Sequence, residues 1–69
     1  MRKWLLDART KAGLSQQETA SKLNLTRQYY TMIENGQRQK SLDIQLAQKI
    51  SKLFGMSLEQ IAQDDKIMQ

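Results

Sequence analysis

The stretch SQQETASKLNLTRQYYTMIENG, residues 15–36, decides the fold of this chain. Ser15 and Glu18 have the spacing of a capping box, in which the serine hydroxyl accepts from a helix amide and the glutamate accepts from the serine amide. Asn24 lies about where that helix should end, and asparagine tolerates the left-handed backbone of a sharp turn. Thr26 is a suitable cap for the next helix. The stretch therefore predicts two short helices joined by a tight turn, which is a helix-turn-helix.

The residues of this motif separate into an inward and an outward set. Those expected to pack against a core are Ala20, Leu23, Leu25, Tyr30 and Ile33. Those expected to project outward from the second helix are Arg27, Gln28, Tyr29, Thr31 and Met32. The N-terminal part of such a helix reaches base edges in the major groove of DNA. Arginine hydrogen-bonds guanine in a fork, glutamine does the same with adenine, and threonine or methionine supplies apolar contact to a thymine methyl group.

Two alternatives stay open for individual residues of the outward set. Arg27 and Gln28 also fit an interpretation as solvated residues of a first helical turn. Their place in a helix-turn-helix, ahead of the basic loop at residues 37–40, favours base reading. Tyr29 either contacts phosphate or sugar, or simply lies on the surface.

The rest of the chain predicts three further helices and no strand, because Val and Pro are absent and helix-forming residues dominate. The first helix is expected over residues 2–12 and is ended by Gly13. Ser41 is expected to cap the fourth helix, with Asp43 in its first turn. The apolar stripe of that helix comprises Leu42, Leu46, Ala47, Ile50, Leu53 and Phe54.

The C-terminal part predicts a short fifth helix and then a tail. Ser57 is expected to cap the helix, and residues 63–69 are expected to be a polar tail. Residues 1–62 then form one all-α DNA-binding domain, and a chain of 69 residues is expected to hold no second domain.

Composition narrows the function further. The net charge is +4, and the basic residues concentrate in residues 1–40, which hold eight Lys and Arg against three Asp and Glu. This distribution favours a polyanion on one side of the molecule, with an ordinary solvated surface as the alternative. Cys and His are both absent, so disulfides, thiolate metal sites and the usual general base are excluded. We expect neither an enzyme nor a cofactor or metal, and we expect a cytoplasmic location.

A family resemblance is carried by three short elements: Leu14 to Glu18 with Ala20, then Thr26, then Ile33-Glu34-Asn35-Gly36. With this spacing the chain resembles the lambda-repressor-like Cro/C1 family over about residues 2–62. The resemblance implies a compact five-helix bundle that binds double-stranded operator DNA as a homodimer.

The resemblance also implies roles for individual residues. The base-reading positions are Arg27, Gln28, Thr31 and Met32. The positions that match backbone contacts of the family are Gln16, Asn35, Arg38 and Lys40. We expect Gln17, Thr26 and Tyr29 to contact the DNA backbone as well. Apart from the resemblance, the apolar residues near the C-terminus are expected to form the dimer interface, at Met56, Leu58 and Ile61. Arg9 and Glu34 match a pair that forms an internal salt bridge.

Two residues depart from the family pattern. Thr19 and Tyr30 occupy positions where an aliphatic residue is usual. A buried tyrosine must find a hydrogen-bond partner for its hydroxyl or reach the edge of the core.

The sequence thus predicts a sequence-specific transcriptional regulator of bacterial or phage type, a repressor that binds a palindromic operator as a dimer. The alternative is an antitoxin or adaptor whose main role is to bind a protein partner. Its partner surface would use the apolar residues near the C-terminus, which are Met56, Leu58, Ile61, Ile67 and Met68.

Overall fold

The computed structural model describes residues 1–39 and 42–68, with the side chains of Ile67 and Met68 left outside the description. Within these ranges the chain forms helices and no strand, as predicted. The helices are α1 (Lys3–Lys11), α2 (Gln16–Lys22), α3 (Arg27–Glu34), α4 (Ile44–Phe54) and α5 (Leu58–Met68). They pack into a body of 25 × 24 × 20 Å, which confirms the predicted all-α bundle. None of these described helices has the length and apolar character that a membrane span requires.

The helix-turn-helix formed by α2 and α3 follows the local signals in the sequence. Ser15 Oγ accepts from the Glu18 amide at 3.0 Å, and the Ser15 amide donates to Glu18 Oε1 at 2.9 Å, so the predicted capping box is present. Asn24 adopts a left-handed backbone with φ of 61°. Thr26 Oγ1 accepts from the Tyr29 amide at 3.1 Å and caps α3.

The start of α4 differs from the prediction. Asp43, not Ser41, is the N-cap, since its carboxylate accepts from the Leu46 amide at 2.7 Å. Aspartate caps a helix as well as serine does, so two candidates two residues apart could not be separated by residue type. Ser41 itself lies outside the described residues. Leu42 and Ala47 then flank the cap at the positions of a hydrophobic staple, and both pack against the core.

Helix α5 is longer than predicted. Residues 63–68 continue the helix, so the prediction of a polar tail there was wrong. The physical reason is that Asp65 turns inward, where it is 7% exposed and forms an ion pair with Arg2. A polar residue that appeared suited to solvent is thereby buried in the last turns of the helix.

The core lies between all five helices. Its buried apolar side chains are Leu5, Ala20, Leu23, Tyr30, Ile33, Leu46, Ile50 and Ile61. Thr19 is also fully buried, and its hydroxyl donates to the Ser15 carbonyl one turn earlier at 2.9 Å. Because the hydroxyl is satisfied within its own helix, threonine can occupy a position where the family usually has an aliphatic residue.

Candidate nucleic-acid interface

One face of α3 remains open and carries polar side chains. Arg27 and Gln28 are exposed in its first turn, and Thr31 and Met32 are half-buried one turn later. These four residues line a shallow concavity together with Gln17 and Gln37. A second concavity continues from it and is lined by Thr26, Gln28, Tyr29, Met32 and Arg38.

We call the combined lining of the two concavities the α3 surface. Its members are Gln17, Thr26, Arg27, Gln28, Tyr29, Thr31, Met32, Gln37 and Arg38. The structure thus brings all the predicted base-reading residues together with four of the predicted backbone-contacting residues. Gln37 was not among the predicted residues, and its polar loop position offered no more specific signal. The set contains two cations and no carboxylate, so its chemistry suits a polyanion.

Gln16 is held between the two helices of the motif and is half-buried. Its Nε2 donates to Glu34 Oε1 at 3.3 Å, and its Oε1 lies 3.4 Å from the Thr31 hydroxyl oxygen. The Thr31 hydroxyl also donates to the Arg27 carbonyl at 2.9 Å. These contacts fix Gln16 at the edge of the α3 surface with one amide hydrogen left to donate.

Tyr29 is half-buried, and its hydroxyl accepts from Gln39 Nε2 at 2.8 Å. The hydroxyl hydrogen stays available for a further acceptor. Gln39 has a left-handed backbone with φ of 55°, and its Oε1 accepts from the Asp43 amide at 3.2 Å. Gln39 therefore connects α3 to the start of α4, a role that no signal in the sequence indicated.

Glu34 is the centre of a buried polar cluster, which we call the Glu34 cluster. Arg9 Nε lies 2.9 Å from Glu34 Oε2, so the ion pair implied by the family resemblance is present. The Tyr30 hydroxyl donates to the same oxygen at 2.6 Å, and this is the partner that a buried tyrosine required. With the bond from Gln16, one cation and two neutral donors hold a carboxylate that is 2% exposed.

The electrostatics of the Glu34 cluster follow from these contacts. Burial raises the pKa of Glu34, but the hydrogen bonds from Arg9, Tyr30 and Gln16 outweigh burial and hold that pKa below its usual value. Burial and the neighbouring carboxylate raise the pKa of Tyr30. Glu34 is therefore an ionised but internally compensated acid, and it does not oppose a phosphate at the nearby α3 surface.

Arg2 forms a second buried cluster, which the sequence did not predict. The residue is 0% exposed, and its Nε donates to Asp65 Oδ1 at 2.6 Å. Trp4 Nε1 donates to the same oxygen at 3.1 Å. Arg2 and Arg9 are thus internal cations, so the basic charge of residues 1–40 is presented to solvent only in part. Among the described residues, Arg27 and Arg38 are the cations on the α3 surface.

The remaining predicted site residues lie apart from these clusters. Asn35 is exposed at the C-cap of α3. Lys40 lies outside the described residues. Met56 is partly buried against the core, and Leu58 is 41% exposed. Ile61 is 2% exposed and packs mainly in the core, and its place in a dimer interface stays a prediction.

An open groove lies between α4 and α5, with a volume of about 440 Å³. We call it the α4–α5 groove, and its lining residues are Leu42, Ile44, Ala47, Leu58, Ile61, Ala62, Asp65 and Lys66. Ile44, which is 68% exposed, was not among the predicted interface residues. The signal that could have indicated it is the position of this apolar residue directly after the helix cap Asp43.

Comparison with known proteins agrees with this geometry. The profile of a family described as helix-turn-helix matches residues 5–61. The chain is 44% identical over 55 residues to YqaF of Bacillus subtilis (strain 168), an uncharacterized HTH-type transcriptional regulator, and the match covers 80% of this chain and 70% of that protein. No solved structure shows a significant match.

Proposed function

Because this chain belongs to the Cro/C1-type helix-turn-helix family, we propose that it binds specific duplex sequences through the α3 surface and represses transcription there. Its relative from Bacillus subtilis is named as an HTH-type transcriptional regulator, which supports the proposal. The observation that carries the proposal is the cluster of Arg27, Gln28, Thr31 and Met32 on one open face of α3. A recognition helix that enters the major groove presents its N-terminal residues to the bases.

Arg27 and Gln28 are the proposed base-reading residues. Arginine forms a two-pronged hydrogen bond with guanine O6 and N7, and glutamine forms one with adenine N6 and N7. Each such pair discriminates against a wrong base by about 1–3 kcal/mol. Thr31 and Met32 lie one turn later, where a methyl or thioether group would contact a thymine methyl.

A second set of residues is proposed to hold the phosphates on either side of the bases. The set comprises Gln16, Gln17, Thr26, Tyr29, Asn35, Arg38 and Lys40. The N-termini of α2 and α3 add backbone amides and a favourable dipole for an anion. Contacts of this kind set the orientation of α3 on the duplex and carry no sequence information themselves.

A symmetric dimer is proposed to place two α3 surfaces in successive major grooves, about 34 Å apart. The α4–α5 groove supports this arrangement, because Ile44 and Leu58 expose apolar surface beside it. Met56, Leu58 and Ile61 remain the proposed interface residues, with Ile44 added. A protein that occupies a promoter in this way blocks transcription, and in a bacterial or phage setting it acts in the cytoplasm.

Selection of bound sequences from a random duplex pool at two salt concentrations tests the proposal. We expect a palindromic motif in which the centres of the two half-sites lie about 10–10.5 base pairs apart. The motif should persist at the higher salt concentration, because base contacts depend on salt less than phosphate contacts do. Enrichment of no motif, with binding that disappears at the higher salt concentration, would refute sequence-specific binding.

A second candidate function is the binding of a protein partner as an antitoxin or adaptor. The exposed apolar rim of the α4–α5 groove is the observation that favours it. In that case Leu58→Ser would abolish partner binding and leave the affinity of one protomer for a single half-site unchanged. Dimeric binding to a full palindrome that is lost in the same variant would favour the regulator instead.

A further inference from the structure

We propose that Arg2 and Asp65 together are positioning residues for the loop at residues 36–39, and that they hold this loop in the conformation from which it contacts the DNA backbone. This inference rests on the proposed function for its DNA-binding part. Arg2 and the last turns of α5 would then help to set the affinity of the protein for the phosphates of the DNA backbone.

The guanidinium of Arg2 forms hydrogen bonds on both sides of this loop. Its Nη1 donates to the Ile33 carbonyl at 2.7 Å and to the Arg38 carbonyl at 3.1 Å, and its Nη2 donates to the Gln39 carbonyl. The backbone amide of Arg2 donates to the Glu34 carbonyl at 2.7 Å. Carbonyls at a helix C-terminus have no partner within the helix. One buried residue thus satisfies the end of α3 and the end of the loop at once.

The loop needs these hydrogen bonds because its backbone conformation is unfavourable without them. Gln39 has φ of 55°, a left-handed conformation that non-glycine residues adopt only when their surroundings impose it. Its side chain reaches Tyr29 on one side and the Asp43 amide on the other. Because Arg2 fixes the carbonyls of Arg38 and Gln39, it also fixes the direction in which the Arg38 side chain leaves the loop.

Asp65 in turn fixes Arg2. Its Oδ1 accepts from Arg2 Nε at 2.6 Å and from Trp4 Nε1 at 3.1 Å, while its Oδ2 lies 3.5 Å from Arg2 Nη2. Lysine could not replace this arrangement, since an ammonium group lacks the planar fork that reaches a carboxylate and several carbonyls together. A buried ion pair adds little net stability compared with apolar residues of similar size, so its benefit here is the arrangement it imposes.

The test is a double-mutant cycle between Arg2→Lys and Arg38→Ala, measured as affinity for a selected duplex at several salt concentrations. Arg2→Lys keeps the positive charge beside Asp65 and removes the fork. We expect it to weaken binding several-fold and to lower the slope of log K against log [salt] by about 1, with the preferred bases unchanged. In the Arg38→Ala background the same substitution should change the affinity by less than about twofold, the usual limit of additivity.

Arg9→Lys is the matched control, because it weakens the other internal arginine pair and makes no contact with the loop. Its effect on affinity should be the same with and without Arg38. An Arg2→Lys effect that is also the same in both backgrounds would overturn the proposal, since it would show that Arg2 acts only through overall stability.

A measurement without DNA separates this inference from the proposed function. Arg2→Lys should raise the fast backbone motion of the amides of residues 37–39 in ¹⁵N relaxation, while the amides of α2 remain rigid. Unchanged relaxation in the loop would overturn the positioning role even if the wild-type protein binds DNA specifically. If the wild-type protein selects no motif but backbone motion in the loop of Arg2→Lys rises as expected, the positioning role of Arg2 is confirmed and the proposed DNA-binding function is refuted.

Should Arg2→Lys fail to fold, the double substitution Arg2→Met with Asp65→Leu serves in its place. It removes both charges, so no unpaired charge is left buried. The carbonyls of Arg38 and Gln39 lose the guanidinium donor all the same, while the Ile33 carbonyl keeps the Gly36 amide. Both measurements are therefore expected to give the outcomes stated for Arg2→Lys.

Discussion

Replacing Tyr30 with phenylalanine removes one hydroxyl from the Glu34 cluster and leaves the aromatic ring in the core. The hydroxyl donates to Glu34 Oε2 at 2.6 Å, and the side chain is fully buried. A hydrogen bond to a charged group contributes about 1.5–3 kcal/mol. Because Arg9 Nε also donates to this oxygen, the carboxylate keeps a partner, and we expect a loss at the low end of the range, about 1.5 kcal/mol.

Urea unfolding measures this loss as a lower midpoint with an unchanged dependence on urea concentration. In a domain of this size, about 1.5 kcal/mol corresponds to a decrease in Tm of roughly 6–12 °C. Tyr29→Phe is the matched control, since the Tyr29 hydroxyl meets Gln39 on a half-buried side chain. Removal of the Tyr29 hydroxyl should lower the free energy of unfolding by at most about 1 kcal/mol. A Tyr30→Phe protein as stable as the wild type would refute the stabilising role of the cluster.

The effect of Tyr30→Phe should also depend on pH. Although burial raises the pKa of Glu34, the bonds from Arg9, Tyr30 and Gln16 keep it below the usual 4.5. A carboxyl whose pKa is lowered by folding contributes stability that is present above its unfolded pKa and lost as the pH falls through its folded pKa. The wild type should therefore lose more stability than the variant as the pH falls below 4.5. A difference between the two proteins that stays constant from neutral to acidic pH would contradict this explanation.

Three further predictions concern other parts of the molecule. Asp43→Ala removes the cap that accepts from the Leu46 amide, and it should lower the free energy of unfolding by about 1 kcal/mol; an unchanged urea midpoint would contradict the assigned cap. Arg38→Ala should weaken binding to all duplex sequences alike and reduce the salt slope by about 1 in fluorescence anisotropy titrations, whereas an altered base preference would exclude a backbone role. Ile44→Ser should shift the protein towards monomer in sedimentation velocity with unchanged helix content, and an unaltered oligomeric state would exclude the α4–α5 groove as the dimer interface.

The helix-turn-helix could be predicted from the sequence because its signals are local. A capping box, a left-handed asparagine and a threonine cap act within a few residues of where they stand, and each is present in the structure. The outward set of α3 followed from the same periodicity. The Arg9–Glu34 pair came from the family resemblance instead, since nothing in the spacing of two residues in different helices indicates that they meet.

Contacts between residues far apart in the chain could not be predicted from the sequence. Arg2 and Asp65 are 63 positions apart, so no local pattern indicates that they meet, and the extension of α5 was missed with them. Ile61 and Leu58 are both apolar residues of α5, and the sequence pattern did not indicate which of the two is buried and which is exposed. The structure separates them, with Ile61 at 2% and Leu58 at 41% exposure.

The most direct test of base reading by the α3 surface compares the sequences selected by the wild-type protein and by Gln28→Lys under the same conditions. Glutamine favours adenine and lysine favours guanine in the major groove. We predict that the two motifs agree except at one base pair in each half-site, where adenine is replaced by guanine. Identical motifs for the two proteins would contradict the assignment of Gln28, and a wild-type protein that selects no motif would contradict the central claim that α3 reads DNA sequence.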